Sequence, residues 1–192
     1  MKLLLVRHGN CEKEEQDPAL SKTGIKQARL LAKRLSELPI TKVYVSDLKR
    51  AFQTFKEYKK LKTEVPAETA KEIREIYRVL VGGEPKEGTS QEREIEDKKR
   101  IESFIKKISS KDNDEVMLLF THANVIEYII SWFLESEPKK IGPHLHIATA
   151  SVSLVEIDEK GADVMFVNSI EHLMHGQPAY FPPKEKTDYI DA

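Results

Sequence analysis

Three short stretches of this sequence set cationic and imidazole side chains directly after apolar runs. Arg7-His8-Gly9 follows LLLV. Ser46-Asp47 follows VYV, with Arg50 three residues further on. Thr121-His122 follows VMLLF, with Asn124 two residues further on. Two arginines and two histidines brought to one place would suit a phosphate monoester dianion. A guanidinium offers phosphate paired N–H donors and does not lose its charge. A helix N-terminus adds backbone donors for the same anion. A neutral imidazole can attack phosphorus, giving a phosphohistidine that water then cleaves. The oxygen that leaves needs a proton, so a carboxylic acid is expected close by.

Whether these groups meet depends on the elements that carry them. Residues 2–6 (KLLLV), 42–46 (KVYVS) and 115–120 (EVMLLF) are short apolar runs without polar alternation, the pattern of strands covered on both faces. Between them, 23–38 and 48–61 have helical spacing. The first carries Ile25, Ala28, Leu31, Ala32 and Leu35; the second carries Ala51, Phe55, Tyr58 and Leu61. Residues 79–88 read as loop, with Gly82, Gly83, Pro85 and Gly88 as breakers. Thr89 and Glu92 form a capping-box pair that opens a helix carrying Ile95, Ile101, Phe104, Ile105 and Ile108. A very apolar helix follows over 124–134. A hairpin of 151–157 and 162–167 turns around Asp158–Gly161. This alternation predicts an α/β fold, a three-layer α/β/α sandwich with a mostly parallel central sheet. Residues 1–192 read as a single domain, as roughly 150 residues per domain implies. Ligands of such sheets bind beyond the carboxyl ends of the strands. A lone Arg-His pair after a strand also reads as solvated loop, and a Thr-His pair as a buried histidine. The coincidence of suitable residues at three strand ends favours chemistry.

The ordered set of motifs resembles the histidine phosphatase superfamily, also called phosphoglycerate mutase-like. LLLVRHGN at 3–10 is similar to the family's strand with its Arg-His-Gly signature. Residues 18–28 (PALSKTGIKQA) resemble its Leu-(Ser/Thr)-x-x-Gly-x-x-Gln-Ala helix start. Residues 46–54 (SDLKRAFQT) resemble its Ser-x-x-x-Arg-Ala-x-Gln-Thr segment, and 120–126 (FTHANVI) occupies the place of its second histidine. The resemblance implies a phosphoglycerate mutase-like fold and a metal-independent phosphatase without cofactor. It implies that His8 becomes phosphorylated, while Arg7, Arg50 and His122 bind the phosphoryl oxygens. The family's acid lies in a Leu-x-Glu context. Ile73-Arg74-Glu75 fits it best, with Glu72 the near alternative. Asn10 and Asn124 are expected at the substrate. Asn10 stands where many members have Glu or Gln, and Ala123-Asn124 replaces the commoner Gly-Gly. That form, with Tyr128, Ile129 and the closing Phe181-Pro182-Pro183-Lys184, resembles the branch of protein Ser/Thr phosphatases. Cofactor-dependent mutases have longer insertions between the motifs of Arg50 and His122.

Composition narrows the field further. With 31 Lys+Arg against 32 Asp+Glu, the net charge of −1 argues against a nucleic-acid or anionic-membrane partner. The single cysteine excludes an internal disulfide framework and a multi-Cys metal site. The apolar start of the chain breaks at Arg7, too soon for a signal-peptide core, and 125–134 is too short to span a bilayer. A cytoplasmic protein is the expectation. The residue six positions beyond Cys11 is Asp17, so no Cys-x5-Arg nucleophile is present, and no P-loop motif occurs. His144, His146, His172 and His175 read as surface or loop residues, and the charge run Glu92–Lys99 as a solvated helix face. The expected substrate is a small-molecule phosphate monoester or a phosphoprotein, and a homodimer is left open. The alternatives are a phosphomutase of the phosphoglycerate mutase type and a non-catalytic module that binds phosphorylated ligands.

Overall fold

The computed structural model describes residues 1–12, 17–84, 90–109 and 114–174. The elements in chain order are β1 (Lys2–Arg7), α1 (Lys22–Ser36), β2 (Lys42–Val45), α2 (Lys49–Lys59), β3 (Ala67–Thr69), α3 (Gln91–Ser109), β4 (Val116–Thr121), α4 (Ala123–Phe133), α5 (Pro138–Ile141), β5 (Val152–Asp158) and β6 (Gly161–Ser169).

The apolar runs become strands because both of their faces are covered. Side chains alternate across a strand, and here each face meets its own layer of helices. Leu3, Leu5, Met117, Leu119 and Tyr44 pack on the side of α3 and α4, against residues such as Phe104, Ile105, Ile126 and Ile129. Leu4, Val6, Val43, Val45, Leu118 and Phe120 pack on the side of α1 and α2, against Leu31, Leu35, Phe55 and Tyr58. The result is a three-layer α/β/α arrangement around a sheet of order β3-β2-β4-β1-β5-β6. The pairs β3–β2, β2–β4 and β4–β1 are parallel; β1–β5 and β5–β6 are antiparallel. The mostly parallel sheet expected from the strand–helix alternation is therefore present. No helix among the described residues is long and apolar enough to cross a membrane.

Register brings the functional segments level. Arg7 pairs with Thr121 and Val45 with Phe120, so β1, β2 and β4 end at the same edge. A fourth strand, β3, delivers another segment there. Its three residues are all exposed and carry no apolar pattern, so only pairing with β2 creates it. The start of the stretch 79–88, read as loop, belongs instead to a 3-10 turn, Arg78–Val81, that buries Leu80 and Val81. In α3 the periodicity misleads at two positions. Ile95, assigned to the apolar face, is 53% exposed, whereas Asp97, inside the charge run, is 7% exposed. Pro85, Gly88, Thr89 of the capping box, His175 and the tail from Phe181 lie outside the described residues.

Candidate active site

The loop after β1 is fixed from three sides. The His8 N–H donates to the Thr121 carbonyl at 3.1 Å, and the His8 carbonyl accepts the Ala150 N–H at 3.0 Å. The Gly9 N–H donates to Thr54 Oγ1 at 3.0 Å. A Cβ on Gly9 would lie 2.6 Å from the Gly24 carbonyl oxygen, and one on Gly24 would lie 1.8 Å from that of Asn10. Both glycines are required for the loop to lie against the start of α1. Ser21 caps that helix by accepting the Gly24 N–H at 3.0 Å. The backbone of His8 is therefore held between the sheet and two helices.

Hydrogen bonding sets the protonation of both rings. His8 Nδ1 lies 2.8 Å from the Gly9 carbonyl, which can only accept, so Nδ1 carries the proton. Nε2 is left with a free lone pair, and it accepts from Arg50 Nε at 3.1 Å. Burial first of all, with Arg7 and Arg50 adding repulsion, lowers the His8 pKa to about 3, so the ring is neutral. His122 packs edge-on to His8, with ring centroids 5.2 Å apart. Its Nε2 lies 2.9 Å from Ser46 Oγ, which also takes the Leu48 N–H at 3.4 Å. The assignment satisfying both groups has Ser46 donating to Nε2 and the ring proton on Nδ1. Burial, then His8 and Arg50, hold this ring well below its usual pKa.

Glu75 arrives from β3 through a 3-10 turn at Lys71–Ile73. Its neighbourhood holds the Asn124 and Ile76 backbone N–H groups as donors to the carboxyl. Asn124 Nδ2 donates to the Ile76 carbonyl at 3.1 Å, and Thr121 Oγ1 to that of Ile73 at 2.8 Å. Burial raises the Glu75 pKa to about 7, against the opposing pull of Arg50 and Arg7. Arg7 donates through Nη1 to the Ile147 carbonyl. Three polar atoms here are buried without a hydrogen-bond partner among the described residues: Arg7 Nε, His122 Nδ1 and Glu75 Oε1. Two are donors and one belongs to a carboxyl near neutrality, a set matched to the oxygens of a phosphate ester.

Arg7, His8, Arg50, Glu75 and His122 thus converge at one sheet edge, and Asn124 orients Glu75. Asn10 lies beside them but is engaged elsewhere. Its Oδ1 accepts from the Ser21 hydroxyl at 2.7 Å, and its N–H donates to Gln27 Oε1 at 2.7 Å. Glu72, the other carboxyl considered for the acid, contributes its backbone carbonyl to Arg100 at 2.7 Å. Sequence reading passed over Glu127, whose pKa is raised to about 7 by burial and then by Glu75. Its signal was available: three residues beyond Asn124 on α4, it shares that face. It also passed over Asp17, whose carboxylate takes the Lys49 N–H at 3.0 Å and pairs with Arg50 at 3.5 Å, capping α2 from a distant loop. Cys11 is a half-buried free thiol. His144 and His146 are exposed, as read. His172 is partly buried instead. It donates from Nε2 to the Ala150 carbonyl and accepts from Arg34. Burial first, then the Arg34 charge, lower its pKa to about 4, so the ring is neutral. No cluster of three or more His, Cys, Asp or Glu among the described residues has metal-holding geometry.

The histidine phosphatase superfamily (branch 1) matches over residues 3–98 and 81–170, and the chain belongs to that family. It is 39% identical over 90 residues to a probable phosphatase of Schizosaccharomyces pombe, covering 43% of each chain. It is 28% identical over 181 residues to the mitochondrial serine/threonine-protein phosphatase Pgam5 of Caenorhabditis briggsae, covering 89% of this chain and 64% of that one. The chain therefore spans less than two thirds of the length of either relative. Among solved structures, the phosphoserine phosphatase of Entamoeba histolytica in complex with phosphoserine superposes with a TM-score of 0.70 at 20% identity. That match covers 90% of this chain and 98% of the other. The fold is shared with it.

Proposed function

We propose that the protein is a phosphatase that hydrolyses phosphate monoesters through a phosphohistidine on His8. The observation that carries this reading is the His8 tautomer. Its Nδ1 proton is committed to the Gly9 carbonyl, and its Nε2 lone pair lies beside Arg50 at 3.1 Å. Arg7, Arg50 and His122 bind the non-bridging oxygens and offset the charge that builds on them. Nε2 forms a bond to phosphorus as the bond from phosphorus to the ester oxygen breaks, and Glu75 gives its proton to that oxygen. Water then attacks the phosphohistidine, the P–N bond breaks, and Glu75 takes the water's proton. Free phosphate leaves, and both residues return to their starting states. A carboxyl with a pKa of about 7 suits both halves of this cycle.

The names of the relatives support a serine-type phosphomonoester, small or on a protein, as substrate. The short connection between Arg50 and His122 supports hydrolysis over phosphoryl return, because it offers little cover against water. The test is rapid-quench labelling with radiolabelled phosphoserine, followed by peptide mapping. Label that is labile to acid, stable to base and located on His8 is expected. His8→Ala should abolish labelling and turnover yet still bind inorganic phosphate. Label on Cys11 or His122, or full activity in His8→Ala, overturns the mechanism.

A further inference from the structure

Glu75 sits on an irregular stretch, residues 71–77, that has no strand ladder to fix it and only a single 3-10 turn. Backbone carbonyls in such a segment take their donors from elsewhere in the fold. Thr121 and Asn124 serve Ile73 and Ile76. The carbonyls of Lys71, Glu72, Arg74 and Glu75 all face one guanidinium, that of Lys71 also taking the Arg74 N–H at 3.2 Å. Arg100 Nη1 donates to the carbonyls of Lys71 at 3.0 Å, Glu72 at 2.7 Å and Arg74 at 3.1 Å. Its Nη2 reaches the Glu75 carbonyl at 3.5 Å. Side-chain donors thus meet every carbonyl from Lys71 to Ile76. Arg100 is held in turn by Asp97, whose Oδ1 accepts from Nη2 at 2.6 Å while Oδ2 accepts the Tyr77 N–H at 2.8 Å. Asp97 also faces Arg93 at 3.7 Å.

We propose that the Asp97–Arg100 pair is a positioning device for the general acid: it fixes the backbone on both sides of Glu75 and so aims its carboxyl at the leaving oxygen. The inference rests on the phosphatase reading. Its geometry explains why an aspartate is buried in the middle of an otherwise solvated charge run. One planar fork can serve several carbonyls at fixed directions, and an ammonium cannot do so equally well. A carboxyl moved by about 1 Å would still titrate, but would transfer its proton poorly.

The test uses two esters that differ in their need for an acid. Phosphoserine has an alkoxide leaving group that must be protonated; 2,4-dinitrophenyl phosphate has one that leaves unaided. Arg100→Met and Asp97→Asn are expected to lower kcat/KM for phosphoserine by roughly 10- to 100-fold, the usual penalty of misplacement. The kcat/KM for the dinitrophenyl ester should stay within about threefold, because it reports only the steps up to departure of the phenolate, which needs no proton; the later hydrolysis of the phosphohistidine, where Glu75 acts as base, enters kcat alone. Arg100→Lys should recover part of the loss and keeps the question answerable where Arg100→Met folds poorly. In a Glu75→Gln background, adding Arg100→Met should change phosphoserine turnover little, because both act through one group. Equal losses on both esters, or full additivity with Glu75→Gln, would show a merely structural role and overturn the inference. A wild-type protein that hydrolyses neither ester would refute the phosphatase reading itself, and the positioning role with it.

Discussion

Replacing Glu75 by glutamine exposes a conflict between catalysis and stability. In the folded chain the carboxyl titrates at about 7, against an ordinary value of 4.5, mainly because burial penalises its charged form. Below 4.5 it is neutral in both folded and unfolded chains. Between 4.5 and 7 the folded chain keeps a proton that the unfolded chain gives up, so stability falls as pH rises. Above 7 both states are ionised and the penalty is complete. At 1.36 kcal/mol per pKa unit, this amounts to about 3 kcal/mol. Glutamine has no proton to lose. The advantage of Glu75→Gln over wild type should therefore grow by about 2–3 kcal/mol between about pH 5 and pH 8.5. Urea denaturation at the two pH values measures this, and comparing slopes removes any effect of the amide that does not depend on pH. Glu127 adds to the change: once Glu75 carries no charge, one cause of its own raised pKa disappears. The same variant should lose about 10²- to 10⁴-fold in kcat/KM for phosphoserine. A stability difference that stays flat with pH would mean that the carboxyl ionises freely, and an acid poised at neutrality would have no basis.

Arg50→Ala removes the group beside His8 Nε2 and should weaken inhibition by vanadate or inorganic phosphate by roughly 10- to 100-fold, the scale of a charged hydrogen bond. Unchanged inhibition would remove Arg50 from the phosphate site. Ser46→Ala leaves His122 Nε2 buried without its partner, so urea denaturation should show a loss of about 1–3 kcal/mol, together with slower turnover. Dialysis against a chelator should leave phosphoserine turnover intact, because the proposed charge stabilisation comes from Arg7 and Arg50; loss of activity that zinc or magnesium restores would contradict this.

Much of the fold could be read directly because its signals are local. β1, β2 and β4 are apolar on both faces and end where charged or polar residues begin, so their boundaries were legible to within a residue. The stripes of α1 and α2 hold at Ala28, Leu31, Ala32, Leu35, Ala51, Phe55 and Tyr58, but Ile25 and Leu61, assigned to the same faces, are exposed, Leu61 lying beyond the end of α2. What escaped was structure made by contact alone. β3 has three exposed residues and exists only through pairing with β2. Ile95 and Asp97 exchange their expected environments because α3 turns its face toward residues 71–77, a segment with no period to announce it.

The candidate site divides along the same line. His8, Arg50 and His122 could be located because each follows a strand that the sequence declares. The register of Arg7 with Thr121 and of Val45 with Phe120 then sets them together. Glu75 had no such marker. Its place follows from hydrogen bonds contributed by Thr121, Asn124, Asp97 and Arg100, residues far away in the chain. An Asp and an Arg three residues apart on a helix look like an ordinary surface pair. The backbone carbonyls of residues 71–75 opposite Arg100 are what give this pair a different meaning, and those carbonyls carry no side-chain signature. A nucleophile at a strand end is thus written in a few consecutive letters. An acid held on irregular backbone depends on distant side chains; its letters could be picked out only by the family resemblance of Ile73-Arg74-Glu75, and what holds it in place is seen only in the folded chain.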